Sequence, residues 1–174
     1  PMLRDNLWEW PRFGGNSSNY SYSTNKDMML NYWAQRVGQS RGHEAIYDIS
    51  TRGFQDEPLQ GYSSDAEAIK GITGLIADQR KLLRDSIGDP EQIPQIYLPY
   101  KEALTLYNKG LEIPDDVTLC WVDDNFGYIR QLPTPKEQER SGGNGIYYHL
   151  SYLGTPAPYL WLSSMSPSFL SYEL

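Results

Sequence analysis

Two segments of the chain place apolar residues at the three- and four-residue spacing of an amphipathic helix. The first, residues 26–38 (KDMMLNYWAQRVG), ends at a glycine, which is a suitable helix cap. The second spans residues 65–86 and stops before Gly88-Asp89-Pro90; its apolar stripe contains Ile69, Ile72, Leu75, Ile76, Leu82 and Leu83. Ser64 precedes this segment and Glu67 follows three residues later, the spacing of a capping box. The pattern therefore predicts two helices.

Shorter apolar runs, bounded by polar residues, glycine or proline, predict four strands. These runs are residues 45–50 (AIYDIS), 95–99 (QIYLP), 117–122 (VTLCWV) and 145–153 (GIYYHLSYL). The third run is almost wholly apolar, so we expect it to be buried on both faces. Residues 101–108 predict a further short helix, and residues 1–26 predict an irregular segment anchored by aromatic side chains.

Strands that alternate with helices predict a parallel sheet with crossover connections. A polar cluster follows each strand, and the sites of (β/α)₈ barrels and doubly wound sheets form at this carboxyl edge. Glycine-rich nucleotide-binding patterns are absent from the sequence, which favours the barrel. Four strands in 174 residues fall short of a barrel of about 250 residues. The predicted fold is therefore α/β, about half of a (β/α)₈ TIM-type barrel.

Composition narrows the classes of partner. The net charge of −7 argues against nucleic acid or an anionic membrane, because both require basic surface. No apolar run reaches the 18 or so residues that predict a transmembrane helix. The single cysteine, Cys120, excludes a disulfide within the chain and is expected to be buried in its apolar run. The 13% aromatic residues suit either stacking on sugar rings or an aromatic-rich core.

Two carboxylates in the polar clusters are candidates for acid and base chemistry. Asp56 lies four residues after Arg52 in TRGFQDEP, and the two form either a solvated ion pair or a carboxylate that a fixed cation keeps ionised. Glu102 follows the second predicted strand. It is either an ordinary first-turn glutamate or a general acid kept protonated by the aromatic setting of Tyr97 and Tyr100.

The turn Asp123-Asp124-Asn125 offers oxygen ligands, but adjacent strand residues point to opposite faces, so the two aspartates are not expected to share a metal ion. The ordinary alternative is that they form a turn and cap a helix. His149 follows the glycine-rich turn RSGGNG and is either a core histidine or, with Tyr152, a ligand contact. Two histidines without an HExxH pattern do not predict a zinc site, and no Gly-x-Ser-x-Gly pattern predicts a serine nucleophile.

Taken in order, the motifs STRGFQDEP, YKEAL, WVDDNFGYIRQLP and RSGGNGIYYHLSYLGTPAPYLWL resemble the catalytic barrel of glycoside hydrolase family 115, the xylan α-1,2-glucuronidases. The resemblance covers most of residues 1–174 and is most specific from Trp121 to Trp161. It implies an inverting hydrolase, without a cofactor, that removes glucuronic acid or its 4-O-methyl ether from the xylose units of glucuronoxylan. It also implies that polar groups from barrel strands upstream of Pro1 contribute to the site.

The resemblance implies that Asp56 and Glu102 are the catalytic carboxylates and that the substrate contacts are Arg52, Asn125, His149 and Tyr152. An inverting glycosidase holds its two carboxyl groups roughly 6.5–9.5 Å apart, a separation that neighbouring strand ends allow. We expect Asp56 to act as the base and Glu102 as the acid, although the reverse assignment fits nearly as well. Arg52 is suited either to keep Asp56 ionised or to bind the carboxylate of a uronic acid.

The resemblance also bears on the whole protein. It implies that residues 1–174 are part of the catalytic barrel of a larger multidomain enzyme, whose other barrel segments and accessory domains are partners of this piece. A homodimer and a secreted or periplasmic location are further expectations, although the chain itself begins without a signal peptide. The alternative is a non-catalytic fragment that binds carbohydrate through its tyrosines and tryptophans, or has a structural role.

Overall fold

The computed structural model describes residues 9–50, 52–150, 152–153 and 155–156, together with positions 168 and 171. The α-helices are α1 (Glu9–Arg12), α2 (Lys26–Ser40), α3 (Asp65–Ser86), α4 (Glu102–Asn108) and α5 (Pro135–Gln138). The strands are β1 (Tyr47–Asp48), β2 (Gln95–Tyr97), β3 (Thr118–Val122), β4 (Asn144–Tyr147), β5 (Tyr152–Leu153) and β6 (Thr155–Pro156). Single 3₁₀ turns occupy Phe54–Asp56 and Pro90–Gln92.

Strands β1 to β4 form one parallel sheet in chain order, as the alternating pattern predicts. Asp48 lies opposite Ile96, Ile96 lies opposite Thr118, and Cys120 lies opposite Gly145. Helices α3, α4 and α5 lie in the three connections between these strands. The parallel α/β sheet confirms the predicted fold class, since four strands with crossover helices correspond to half of the eight-stranded barrel.

The fourth strand is shorter than predicted. It ends at Tyr147 instead of running to residue 153, and the following strands β5 and β6 pair with each other in an antiparallel manner. Two residues beyond Tyr147, the backbone N–H of His149 donates to the carboxylate of Asp123 at 3.0 Å. The His149 N–H is therefore bonded to a side chain instead of a backbone carbonyl of β3, so the strand ends. The apolar pattern of the segment does not reveal this bond.

Both long helices form where the apolar spacing predicts them. α2 continues two residues past its predicted end, and α3 has the predicted bounds. The hydroxyl of Ser64 accepts the backbone N–H of Glu67 at 3.2 Å, but the Glu67 carboxylate accepts from the N–H and hydroxyl of Ser63 instead of closing a reciprocal capping box. None of the described helices combines the length and apolar character needed to cross a bilayer.

The hydrophobic core lies between these helices and one face of the sheet. Its members include Met29, Tyr32, Trp33 and Val37 of α2, Ile72, Leu75, Ile76 and Leu83 of α3, and Tyr47, Tyr97, Leu119 and Trp121 of the strands. Ile69 and Leu82 of the predicted stripe are only partly buried. Trp10 is fully buried and meets Tyr20 and Tyr32 edge to face, which confirms that aromatic residues anchor the first segment.

The other face of the sheet is less well covered among the described residues. In β3, Leu119 and Trp121 are buried in the core, whereas Cys120 and Val122 on the opposite face are half-buried. Among the described residues this strand is therefore well covered on one face only, so the predicted burial on both faces is not met by this part of the barrel. Cys120 is likewise only half-buried. Burial, together with the charge of Asp48, still raises the pKa of its thiol, so little reactive thiolate forms at neutral pH.

Candidate active site

The carboxyl ends of β1 to β4 surround a cavity of about 410 Å³. Its lining residues are Ser50, Arg52, Asp56, Leu98, Tyr100, Lys101, Val122, Asn125, Tyr147 and His149. The structure thus brings together four of the six residues predicted for the site, namely Arg52, Asp56, Asn125 and His149. Arg52 and Asp56 lie in the loop after β1, Asn125 follows β3, and His149 follows β4. The four residues converge because the carboxyl ends of parallel strands meet at one edge of the sheet.

Arg52 organises the centre of this site. It is 7% exposed, and its Nε and Nη2 atoms donate to the two carboxylate oxygens of Glu102 at 3.1 and 2.9 Å. Its Nη1 atom lies 2.6 Å from Asp56 Oδ1 and also donates to the Asp56 carbonyl. Burial by itself would lower the pKa of the guanidinium, but hydrogen bonds and charge from Glu102 and Asp56 outweigh it and raise that pKa. The cation is therefore fixed between two carboxylates.

Glu102 is not among the residues that line the central cavity. Its Oε1 atom also accepts the backbone N–H of Leu59 at 3.0 Å, so both carboxylate oxygens are engaged. The ring of Tyr100 faces the Arg52 guanidinium at 5.6 Å, and Tyr97 is 1% exposed in the core. The setting of Glu102 therefore contains a paired guanidinium as well as the expected aromatic rings. In this arrangement Glu102 supports Arg52, and its assignment as the proton donor stays a prediction.

Asp56 points into the cavity from a strained turn. Gln55 and Asp56 both have positive φ, at 56° and 65°, which is costly for residues other than glycine. Gly53 closes the turn by donating its N–H to the Glu57 carbonyl at 2.7 Å. The Asp56 side chain is 42% exposed, and its oxygens lie 2.6 Å from Arg52 and 3.4 Å from Lys101. Two neighbouring cations favour the ionised form that a general base needs.

His149 is held by Asp123, which is 1% exposed at the end of β3. One carboxylate oxygen accepts the His149 backbone N–H at 3.0 Å, and the other contacts the ring Nδ1 atom. A buried carboxylate at Nδ1 selects the tautomer with the proton on that nitrogen and sets the plane of the ring. The ring of Tyr147 packs edge to face against it at 5.0 Å. The imidazole is therefore presented to the cavity in a defined orientation, so His149 is not a core histidine.

The two aspartates of the turn have separate roles, as the strand geometry predicts. Asp124 accepts the backbone N–H groups of Phe126 and Tyr128 at 2.8 and 3.0 Å and pairs with Arg130. Burial opposes ionisation of Asp124, but these backbone N–H groups and the guanidinium lower its pKa below the ordinary value. Asp124 thus stabilises the turn that places Asn125 at the cavity. No cluster of three or more potential metal-ligating side chains occurs in the described part of the chain.

The remaining candidate, Tyr152, lies in β5, but its side chain is outside the described residues. Sequence reasoning missed other lining residues, above all Ser50 and Lys101. Ser50 donates its N–H to Asp48 at 2.9 Å, and Asp48 is itself 2% exposed. Lys101 adjoins Glu102 in the motif YKEAL, and Ser50 ends the first predicted strand. Treating every polar residue at a strand end as a candidate would have found both.

The chain is similar to known glycoside hydrolases. The family model of glycosyl hydrolase family 115 matches residues 1–174. Among solved structures, the chain is similar to BtGH115A, described as a family GH115 4-O-methyl-α-glucuronidase with specificity for decorated arabinogalactans. The two share 43% sequence identity with a TM-score of 0.86, over 95% of this chain and 22% of that one. No curated protein matches the chain.

This chain therefore spans about a fifth of the length of that enzyme, which is consistent with part of a barrel. The family match covers the strand-end loops that carry Arg52, Asp56, Asn125 and His149, which line one cavity in the structure. On the strength of the match over its whole length and of this similarity, the chain belongs to glycosyl hydrolase family 115.

Proposed function

We propose that the chain contributes part of the active site of an α-glucuronidase, which hydrolyses the bond joining glucuronic acid, or its 4-O-methyl ether, to a polysaccharide. Family membership and the glucuronidase activity of the similar structure support this proposal. The observation that carries it within the molecule is the cavity at the carboxyl edge, where Asp56 lies between Arg52 and Lys101. A carboxylate and two cations suit an acidic sugar better than a neutral one.

Two polysaccharides are candidate substrates. The resemblance of the sequence motifs to the xylan α-1,2-glucuronidases implies glucuronoxylan, with glucuronic acid linked α-1,2 to xylose. The similar solved enzyme is described as specific for decorated arabinogalactans, which makes these the second candidate. Because either polymer is too large to cross a bilayer, we also propose that the protein acts outside the cytoplasm, in a secreted or periplasmic location.

The proposed mechanism is inversion, with one carboxylate activating water and one carboxylic acid protonating the leaving oxygen. Asp56 is placed to act as the base, since its carboxylate lies at the cavity beside the cations of Arg52 and Lys101. Glu102 is the predicted acid. Its two oxygens are engaged by Arg52 and Leu59, so proton donation requires one of these contacts to open when the substrate binds. His149, oriented by Asp123, and Asn125 are placed to hold sugar hydroxyl groups.

The function is tested with the full-length protein on two substrates, glucuronoxylan oligosaccharides and a glucuronic-acid-decorated arabinogalactan. Release of glucuronic acid from one of them is the expected result, and its absence on both substrates would contradict the proposal. Proton NMR of the first product formed separates the mechanisms, because an α-linked substrate yields the β-anomer by inversion. Initial formation of the α-anomer would rule out inversion while leaving the hydrolase activity in place.

A further inference from the structure

A uronic acid carries its own carboxylate, and the residue that binds it is not evident from the catalytic assignment. Arg52 is the nearest strong candidate, but all three of its guanidinium nitrogens already donate to protein oxygens of Glu102 and Asp56. A substrate carboxylate would compete with Glu102 and Asp56 for the donors of a guanidinium that is 7% exposed. Breaking a buried charged pair is costly, so a second cation is better suited to the substrate carboxylate.

Lys101 is that second cation. It lines the same cavity, and its side chain is 49% exposed. Its ammonium lies 3.4 Å from Asp56 Oδ2, a long contact, and 4.9 Å from the centre of the Tyr100 ring. An ammonium has three N–H donors on a flexible stem, so Lys101 can reach a ligand while Arg52 keeps Asp56 in place.

The backbone of Lys101, the residue that precedes α4, is strained. Its φ of 50° with ψ of −120° lies in a region that glycine adopts far more readily than other residues. The strain is held by neighbouring hydrogen bonds, from Ala103 N–H to the Tyr100 carbonyl at 3.0 Å and from Thr105 N–H to the Lys101 carbonyl at 3.3 Å. A lysine therefore stands where glycine would relieve strain, and its side chain lines the cavity.

We propose that Lys101 is a specificity-determining residue that binds the carboxylate of the substrate's uronic acid in the central cavity. This inference rests on the proposed function and deepens it. Arg52 and Lys101 then have separate roles. Arg52 fixes the carboxylates of Asp56 and Glu102, and Lys101 selects a charged sugar over a neutral one. Binding moves the Lys101 ammonium from its long contact with Asp56 toward the substrate, and Arg52 remains as the cation that keeps Asp56 ionised.

The test compares two ligands of the full-length protein that differ only in charge at carbon 6, D-glucuronate and D-glucuronamide. Their inhibition constants are measured against release of glucuronic acid from the substrate polysaccharide. A hydrogen-bonded ion pair predicts that the wild-type protein prefers the acid roughly 10- to 100-fold. Lys101→Met should abolish this preference with little change for the amide, and Lys101→Arg should retain much of it.

Two further variants control for folding and for lysine removal in general. Lys109→Met removes a lysine that is 53% exposed and paired with Asp65 outside the cavity, so the preference should be unchanged. Lys101→Gly should lose the preference while raising the midpoint of thermal unfolding, because glycine relieves the backbone strain. If Lys101→Met still prefers the acid as strongly as the wild-type protein, Lys101 does not bind the substrate carboxylate, and the proposed hydrolase function is unaffected. Failure of the wild-type protein to release glucuronic acid would instead overturn the function on which the inference rests.

Discussion

Leu119 and Trp121 of β3 pack into an apolar core beneath α2 and α3, whereas the opposite face of the same sheet leads to a cavity lined by Arg52, Asp56 and His149. Leu119 on the first side is 0% exposed, and Arg52 at the cavity is 7% exposed. The difference lies in chemistry. One side buries hydrocarbon, and the other buries charge that is paired with charge.

These two kinds of burial have different consequences for stability. Burying a large apolar side chain stabilises the fold by roughly 1.5–3 kcal/mol. Burying a charge costs several kcal/mol unless a partner and hydrogen bonds compensate it. The pairs Arg52–Glu102 and Asp123–His149 are thus weak evidence for stability. Variants on the two sides should separate folding from activity.

The largest expected effect is on the charged side. Asp56→Asn should lower kcat for glucuronic acid release by roughly 10²- to 10⁴-fold, the range for loss of a general base. The midpoint of thermal unfolding should change little, because Asp56 is 42% exposed. Asp85→Asn provides the matched control on an exposed carboxylate of α3, 51% accessible. A kcat within a few-fold of wild type in Asp56→Asn would remove Asp56 from the mechanism.

The variant Glu102→Gln distinguishes two possible roles of Glu102 at the cavity, proton donation and support of Arg52. If Glu102 is the acid, kcat should fall roughly 10²- to 10⁴-fold, and substrates with a good leaving group should be less affected because they need less protonation. If it only supports Arg52, both classes of substrate should lose activity equally. Kinetics with a xylo-oligosaccharide and an aryl glucuronide leaving group distinguish these results.

On the apolar side, Leu75→Ala should lower the free energy of unfolding by about 2–5 kcal/mol, because Leu75 of α3 is fully buried and its truncation leaves a cavity. The activity of the molecules that remain folded should be unchanged. Urea unfolding and kcat per folded molecule check both statements. Leu132→Ala, at a position 56% exposed, is the control and should cost well under that amount. Equal losses in the two variants would contradict the assigned core.

A smaller effect is expected at the positioning residue Asp123. Asp123→Asn removes the charge at Nδ1 of His149 and should lower kcat roughly 10- to 100-fold, the worth of a hydrogen bond to a charged group. Nitrogen NMR of the His149 ring provides a readout specific to this role, since the wild-type ring should carry its proton on Nδ1. Unchanged ring signals together with unchanged kcat would show that Asp123 does not act through His149.

The smallest effect concerns pH and the turn after β3. The folded state lowers the pKa of Asp124, so its stabilisation is complete above the unfolded value of about 3.9 and is lost as pH falls through the folded value. Asp124→Asn should cost about 1 kcal/mol at pH 6 and less at pH 3. Urea unfolding at both pH values tests this. A cost that is the same or larger at pH 3 would contradict the direction of the shift.

The spacing of apolar residues predicts much of this fold, because the periods of helices and strands depend on residues that are close in the sequence. The bounds of α3 and the strands around Tyr47, Ile96 and Trp121 follow from spacing alone. The rule that sites follow the carboxyl ends of parallel strands also selected Asp56 and His149 correctly as cavity-lining residues. Their catalytic or binding roles stay predictions.

Other features could not be predicted because they depend on residues far apart in the chain. The end of β4 depends on Asp123 accepting the N–H of His149, 26 residues away. The half-buried state of Cys120 depends on which face of β3 the helices cover. The positive φ of Lys101 reflects constraints from its surroundings, since nothing in the motif YKEAL requires it.

The amino-acid sequence by itself determined the order of strands and helices, their apolar faces and the clustering of polar residues at strand ends, because periodicity and turn chemistry act over a few residues. Only the tertiary structure decided which charges meet. Arg52 pairs with Glu102, 50 residues distant, so its guanidinium is fixed at the cavity, and its role as a substrate contact stays a prediction. The physical reason is that a buried guanidinium must find carboxylates, and the fold alone decides which carboxylates lie within reach.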